Sequence, residues 1–177
     1  GLMIAARILG HPLPGRVAGV ELVQALAAAA AGRGDRVFLL GAAPGVAEAA
    51  AARLVASAPG LKVSGTFAGD ATEAGDADSL ARIRAAEPDI LLVAYGAPAQ
   101  ERWARRNLEV SGASVAIGVG GTFDYLAGRV RRAPAPIRRM GLEWLFRLAR
   151  QPWRASRMTA LPAFLGLVLR QRLGGHG

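Results

Sequence analysis

RVFLLGAAPGVAEAAAARLVAS (residues 36–57) decides the fold. Val37 to Leu40 form an apolar run that reads as a short strand buried on both faces. Gly41-Ala-Ala-Pro-Gly45 breaks the run, and residues 46–57 are rich in alanine, a strong helix former. Strand, glycine turn and helix in that order open a βαβ unit. Free N–H groups and the dipole at such a helix start favour a phosphate. A plain tight turn explains Gly41–Gly45 equally well. The stretch is neither GxGxxG nor a Walker loop, and no acid lies at the sequence distance expected of a ribose contact.

Outward from this unit the same alternation continues. Upstream, VELVQALAAAAA (20–31) predicts a helix ending at Gly32, preceded by the loop HPLPGRVAG and a helix over 2–9 stopped by Gly10. Downstream, Pro59-Gly60 closes the 46–57 helix and Leu61–Phe67 is a second strand. A helix near 76–87 stops before Pro88, and Asp89–Tyr95 is a third strand. Residues 98–110 are helical, Ser114–Val119 is a fourth strand, and Phe123–Leu126 suggests a short helix. Apolar strands separated by helices imply an α/β fold, a parallel Rossmann-like sheet flanked by helices. Ligands of such sheets bind beyond the carboxyl ends of the strands. That rule puts Gly41–Gly45, Gly69–Asp70, Tyr95–Glu101 and Gly118–Asp124 along one rim. There is no internal repeat and no long linker.

Within the rim, Pro98 suits the first turn of a helix, which places Gln100 and Glu101 near the ligand edge. The Gln100 amide can read a uracil or a sugar hydroxyl. Glu101 is better explained as a partner of the helix dipole. Gly120 and Gly121 allow a backbone to approach a ligand closely. Thr122 either contacts that ligand or caps the short helix after it. Asp124 either accepts hydrogen bonds from ribose, uracil N3 or a sugar, or pairs with Arg129 or Arg131.

Charge divides the chain. Residues 129–177 hold eleven arginines against the single acid Glu143, whereas residues 1–128 are nearly neutral, so the net charge of +9 belongs to the last quarter. Leu142, Leu145, Phe146, Ala149 and Trp153 fall at helical spacing, with Arg147, Arg150, Arg154 and Arg157 on an offset stripe. Pro152 kinks or restarts that helix. Clustered arginines without local acids repel unless an anion is near, such as a diphosphate or phospholipid headgroups. Trp144, Trp153 and the run Leu161–Leu169 suit a membrane interface. That run has nine residues broken by Pro162 and Gly166, against the roughly 20 that a spanning helix needs. The reading is a domain over residues 1–134 and a basic amphipathic helical appendage over 135–177.

The length of 177 residues suits one α/β domain with such an appendage. Its alanine, arginine and glycine bias, with Lys62 the single lysine, reads as a GC-rich genome. There is no cysteine, so disulfide and thiolate chemistry are excluded. His11 and His176 suggest no metal site. No secretory signal is legible, and a start at Gly1 reads as a fragment.

GAPAQERW (96–103), GVGGTFDYLAGRVRRAP (118–134) and GLEWLFRLARQPWR (141–154) resemble the WecG/TagA/CpsF glycosyltransferases, family 26. The resemblance runs back through PGRVAGVELVQAL and RVFLLGAAPGVAEAAA and covers nearly everything to about residue 158. It implies an inverting hexosyltransferase that moves a sugar from a UDP-sugar, N-acetylmannosamine or a related hexose, to a polyprenyl-diphosphate-linked acceptor. Such enzymes build teichoic acid linkers, enterobacterial common antigen or exopolysaccharides. The resemblance implies no cofactor and no required metal. It implies a cytoplasmic enzyme, peripheral on the inner face of the bacterial plasma membrane, whose tail meets anionic lipid; homo-oligomerisation is left open. Gln100 and Asp124 match polar positions of the family's nucleotide-sugar pocket, beside Gly120, Gly121 and Thr122. Arg147, Arg154 and Arg157 match its tail arginines, expected near the diphosphate.

Two departures stand out. Family members carry an Asp-Gly pair whose carboxylate is the proposed general base; Gly1 aligns just after it, so the expected base lies upstream and no residue here matches it. The family often places an aromatic where this chain has Asp70, which removes the expected base stacking. Two other classes compete. A nucleotide-cofactor oxidoreductase fits the strand–helix alternation without its glycine fingerprint. A nucleic-acid-binding module fits the basic tail, but the arginines alternate with Leu, Phe and Trp, and the neutral domain offers no basic face.

Overall fold

The computed structural model describes residues 5–6, 8–11, 17–130, 134 and 160–174. The chain divides into two compact units, Ala18–Arg131, and Gly1–Val17 together with Arg132–Gly177. In the first unit the order is α1 (Gly19–Arg33), β1 (Arg36–Gly41), α2 (Val46–Ser57), β2 (Lys62–Phe67), a 3₁₀ turn at Glu73–Gly75, α3 (Asp76–Ala86), β3 (Ile90–Ala94), α4 (Ala99–Ser111), β4 (Val115–Gly118) and α5 (Thr122–Leu126). The second unit contains α6 (Ala160–Gly174). There the Leu9 N–H donates to Ala5 O and the His11 N–H to Ala6 O. Gly10 is left-handed at φ 81°, so it ends a helical turn as the sequence predicts.

The four strands are parallel in the order β2-β1-β3-β4. Side-chain alternation along β1 explains its unbroken apolar run. Val37 and Leu39 face a layer built from Val23, Ala27 and Ala30 of α1, Ala47, Ala50 and Leu54 of α2, and Phe123 and Leu126 of α5. Phe38 and Leu40 face the opposite layer with Ile83 of α3 and Trp103 of α4. Alanine-rich helices on the first side bring their backbones close to the sheet. Each large apolar side chain buried this way contributes about 1.5–3 kcal/mol. The register of β1 and β2 slips after Val37, and Gly65 accommodates the Phe38 ring, which would lie 2.6 Å from a Cβ there.

Helix α1 runs through Gly32 and stops at Gly34, correcting the predicted end. Gly34 takes φ 78° and its N–H caps Ala30 O at 2.8 Å. A helix interior tolerates a glycine, whereas the left-handed cap position favours one strongly. The other boundaries within Ala18–Arg131 fall within two residues of expectation, whereas the start of the helix expected over 2–9 and the 142–153 stripe lie outside the described residues.

The topology sets the site. From β1 the chain turns into α2 on the first layer; from β3 it turns into α4 on the second. Adjacent strands whose exits diverge to opposite faces leave a crevice at their carboxyl ends.

Candidate functional site

The first bank of the crevice is the β1 exit. Gly41, at φ 101°, packs against β3 so closely that a Cβ would stand 2.8 Å from the Ala94 carbonyl carbon. The Ala42 N–H donates to Ala94 O at 3.2 Å. Ala42 and Gly45 also have positive φ, and Gly45 is the N-cap of α2. The Arg129 guanidinium reaches Pro44 O at 3.4 Å, so a cation lies over this turn. Sequence spacing gives no sign of that contact, which spans 85 positions.

The second and third parts are the β3 and β4 exits, and Gln100 joins them. Its Oε1 accepts hydrogen bonds from the Gly96 N–H at 3.2 Å and the Gly120 N–H at 2.9 Å. Its Nε2 donates to Glu101 Oε1 at 2.9 Å. Both lone pairs of the amide oxygen are engaged, and one Nε2 proton is left over. Gln100 is buried, with its amide packed over Gly118, where a Cβ would stand 2.5 Å from Nε2. Pro98 sits at the N-cap, one residue before α4 begins, and the Ala97–Pro98 bond is cis.

Gly120 is left-handed at φ 53°, and Gly121 is the N-cap of α5. Thr122 therefore does not cap the short helix; it is its first residue, with no side-chain cap bond. The Thr122 side chain is buried against Gly19, where a Cβ would stand 2.8 Å from its Oγ1. Asp124 is half-buried in the first turn of α5. Among the described residues it has no ion pair with Arg129, which turns to Pro44 instead; Arg131 lies outside them.

The opposite bank is the β2 exit. Gly69, at φ 57°, covers the Tyr95 hydroxyl, and a Cβ there would stand 3.0 Å from Ser79 Oγ. Burial pushes the Tyr95 hydroxyl up to about 12, and the nearby Asp70 and Asp76 charges add to the effect. Ser79 Oγ opposes that shift more than either charge adds to it, without a hydrogen bond of normal geometry. Asp70 Oδ1 accepts the Thr72 N–H and Oδ2 accepts the Thr72 hydroxyl, both at 2.9 Å. The Thr72 backbone and hydroxyl bonds hold the Asp70 carboxyl below its ordinary value.

Asp76 opens α3 and is gripped bidentately by Arg106, from Nε to Oδ2 at 2.5 Å and from Nη2 to Oδ1 at 2.9 Å. The same Nη2 donates to Ala71 O at 3.1 Å. The Arg106 guanidinium, with smaller help from Asn107 and Trp103, lowers the Asp76 pKa below the ordinary 3.8. The stability this pair contributes is present above pH 3.8 and is lost as pH falls through the lower folded value.

Of the residues expected to form the site, Gln100, Gly120, Gly121, Thr122 and Asp124 all lie at the carboxyl rim. Arg147, Arg154 and Arg157 lie outside the described residues. Sequence reading missed Asp76 and Arg106. They are 30 positions apart, and their pairing becomes visible once right-handed crossovers put α3 and α4 on one face. Among the described residues no group of three or more His, Cys, Asp or Glu could hold a metal ion.

This rim can be compared with known proteins. The chain matches the model of the glycosyl transferase WecG/TagA/CpsF family over residues 1–177. It is 35% identical over 173 residues to an N-acetylglucosaminyldiphosphoundecaprenol N-acetyl-beta-D-mannosaminyltransferase of Bacillus spizizenii, covering 96% of this chain and 65% of that protein. The identically named protein of Bacillus subtilis is 33% identical over 172 residues, with 97% and 66% covered. The chain thus spans about two thirds of the length of these relatives. With a family match along its whole length and the expected parallel sheet and glycine rim, the chain belongs to the WecG/TagA/CpsF glycosyltransferase family.

Proposed function

We propose that this protein is, or is part of, an inverting glycosyltransferase that moves a sugar of the N-acetylmannosamine type from a UDP-sugar to a polyprenyl-diphosphate-linked acceptor in bacterial cell-surface polysaccharide synthesis. The observation that carries the reading is the family match along the whole chain. The relatives' names supply the mannosaminyl donor and the diphosphoundecaprenol acceptor. Two banks of glycine-rich exits facing a switch-point crevice suit a nucleoside diphosphate. An inverting transfer needs a base to take the acceptor proton and positive charge to stabilise the leaving UDP. In this reading Arg147, Arg154 and Arg157 supply the charge.

Calorimetric titration is expected to show UDP bound more tightly than ADP or GDP, and Asp124→Ala is expected to weaken UDP binding. Equal affinity for the three diphosphates would remove the uridine specificity.

The basic appendage is proposed to hold the protein on the cytoplasmic face of the plasma membrane. Among the described residues no helix is long and apolar enough to cross a membrane. Helix α6 exposes Leu167 and Leu169 beside exposed Arg170 and Arg172, a composition suited to an anionic lipid surface. Co-sedimentation with liposomes is then expected to require anionic lipid and to fade with salt, at about 1 kcal/mol per surface arginine. A chain truncated after Gly141 is expected to stay in the supernatant; undiminished binding would put the membrane contact elsewhere.

A further inference from the structure

In dinucleotide-binding sheets an acidic residue some twenty positions beyond the glycine turn accepts the ribose 2′-hydroxyl. Counted along this sequence, no acid stands at that distance. The fold supplies one in space. Strand β2 pairs with β1 up to Leu40↔Phe67, so the β2 exit lies beside the Gly41–Gly45 turn. Asp70 is the third residue beyond that last pair, in the loop that leaves β2 beside the turn.

Three observations make Asp70 a formed acceptor rather than a loose surface acid. It is exposed, yet both carboxylate oxygens are fixed by Thr72, one by the backbone N–H and one by the hydroxyl. Each oxygen keeps a further acceptor site, since a carboxylate can accept about four hydrogen bonds. Its loop cannot relax outward easily, because Arg106 ties Ala71 O and Asp76 to α4 from behind. Gly75 packs on the Asp70 backbone so tightly that a Cβ would stand 2.7 Å from its carbonyl oxygen. The same two Thr72 bonds hold the carboxyl below its ordinary value.

We propose that Asp70 recognises the ribose diol of the bound nucleoside diphosphate, with Arg106 as the positioning residue that holds its loop at the rim. The inference rests on the nucleotide reading above and extends it to the sugar of the nucleotide. A fixed carboxylate accepts from both hydroxyls of the ribose diol and loses one of the two donors in a 2′-deoxyribose. The selectivity comes from leaving the acceptor unpaired in the wrong complex.

The test is calorimetric titration of the 177-residue chain with UDP and with 2′-deoxy-UDP. The parent is expected to bind UDP about tenfold more tightly or better, one charged hydrogen bond being worth roughly that factor. Asp70→Ala is expected to weaken UDP more than it weakens 2′-deoxy-UDP, so that the two bind nearly alike. Asp70→Asn, which can keep the Thr72 turn, is expected to reduce the preference several-fold. Arg106→Gln is expected to reduce it too, and to speed amide exchange of residues 70–76.

A parent that binds both ligands equally, or an Asp70→Ala variant that folds and keeps the preference, overturns the proposal and leaves the uridine reading intact. If Asp70→Ala fails to fold, Asp70→Asn decides, and an undiminished preference there also overturns it. Faster exchange in Arg106→Gln with unchanged discrimination overturns the positioning role alone. A parent that binds no nucleoside diphosphate overturns the nucleotide reading itself, and this inference with it.

Discussion

Gly41→Ala is expected to cost about 2–5 kcal/mol of stability and to abolish nucleotide binding. At φ 101° an alanine pays a conformational penalty of about 1–2 kcal/mol for leaving the allowed regions. Its Cβ would also meet the Ala94 carbonyl carbon at 2.8 Å and the nitrogen and oxygen at 3.1 Å. These are backbone atoms of the central strand pair, which cannot swing aside as a side chain would. Relief must come from parting β1 and β3 at their carboxyl ends, and overpacking of this kind costs about 1–3 kcal/mol more. The same movement opens the crevice floor. Chemical denaturation and UDP titration of Gly41→Ala against Gly32→Ala make the comparison. Gly32 lies inside α1 with open space around it, so alanine there is expected to be neutral or stabilising. A Gly41→Ala protein of parental stability would show that β1 and β3 do not need to approach so closely.

Gln100→Ala is expected to cost about 2–4 kcal/mol and to weaken UDP binding at least tenfold. Removing the side chain leaves the part-buried Gly96 and Gly120 N–H groups without their shared acceptor, at about 1–2 kcal/mol for each, the lower part of the range for an unpaired group. It also frees the β3 and β4 exits from each other. Gln100→Glu separates the two roles of the amide. A carboxylate still accepts from both glycines, so the loops stay joined, but it meets Glu101 where Nε2 donated before. Binding is therefore expected to fall less in Gln100→Glu at pH 5 than at pH 8, since protonation removes the repulsion. If Gln100→Ala matched the parent in both stability and affinity, the amide would be a passive filler over Gly118.

The direction in which Gln100 works shows where sequence reading reaches its limit. Its place in the first turn of a helix at the ligand edge is legible, because Pro98 and the strand before it fix the start of α4. Its rotamer is not. The amide turns inward because Gly96 and Gly120, brought together from two different loops, both need an acceptor. That need exists in the assembled sheet alone. Thr122 is a similar case: a threonine after two glycines reads as a cap, but Gly121 takes the N-cap position and the threonine packs on Gly19.

By itself the sequence determined the elements, the parallel sheet and the rim. Short runs of apolar residues, or of apolar and polar residues alternating as in Lys62–Phe67, between turn residues have room for a strand and little else. Alanine-rich segments between them must be helices, and parallel strands so connected present every exit loop at one edge. These are local and near-local effects, carried by propensity, turn chemistry and the handedness of crossovers. Tertiary structure decided the order β2-β1-β3-β4, and with it which exits face one another. It brought the β2 exit with Asp70 beside Gly41–Gly45, joined Asp76 to Arg106, and laid Arg129 on Pro44. Those pairings depend on which helix covers which face, so the residues that make them carry no signature in their spacing along the chain.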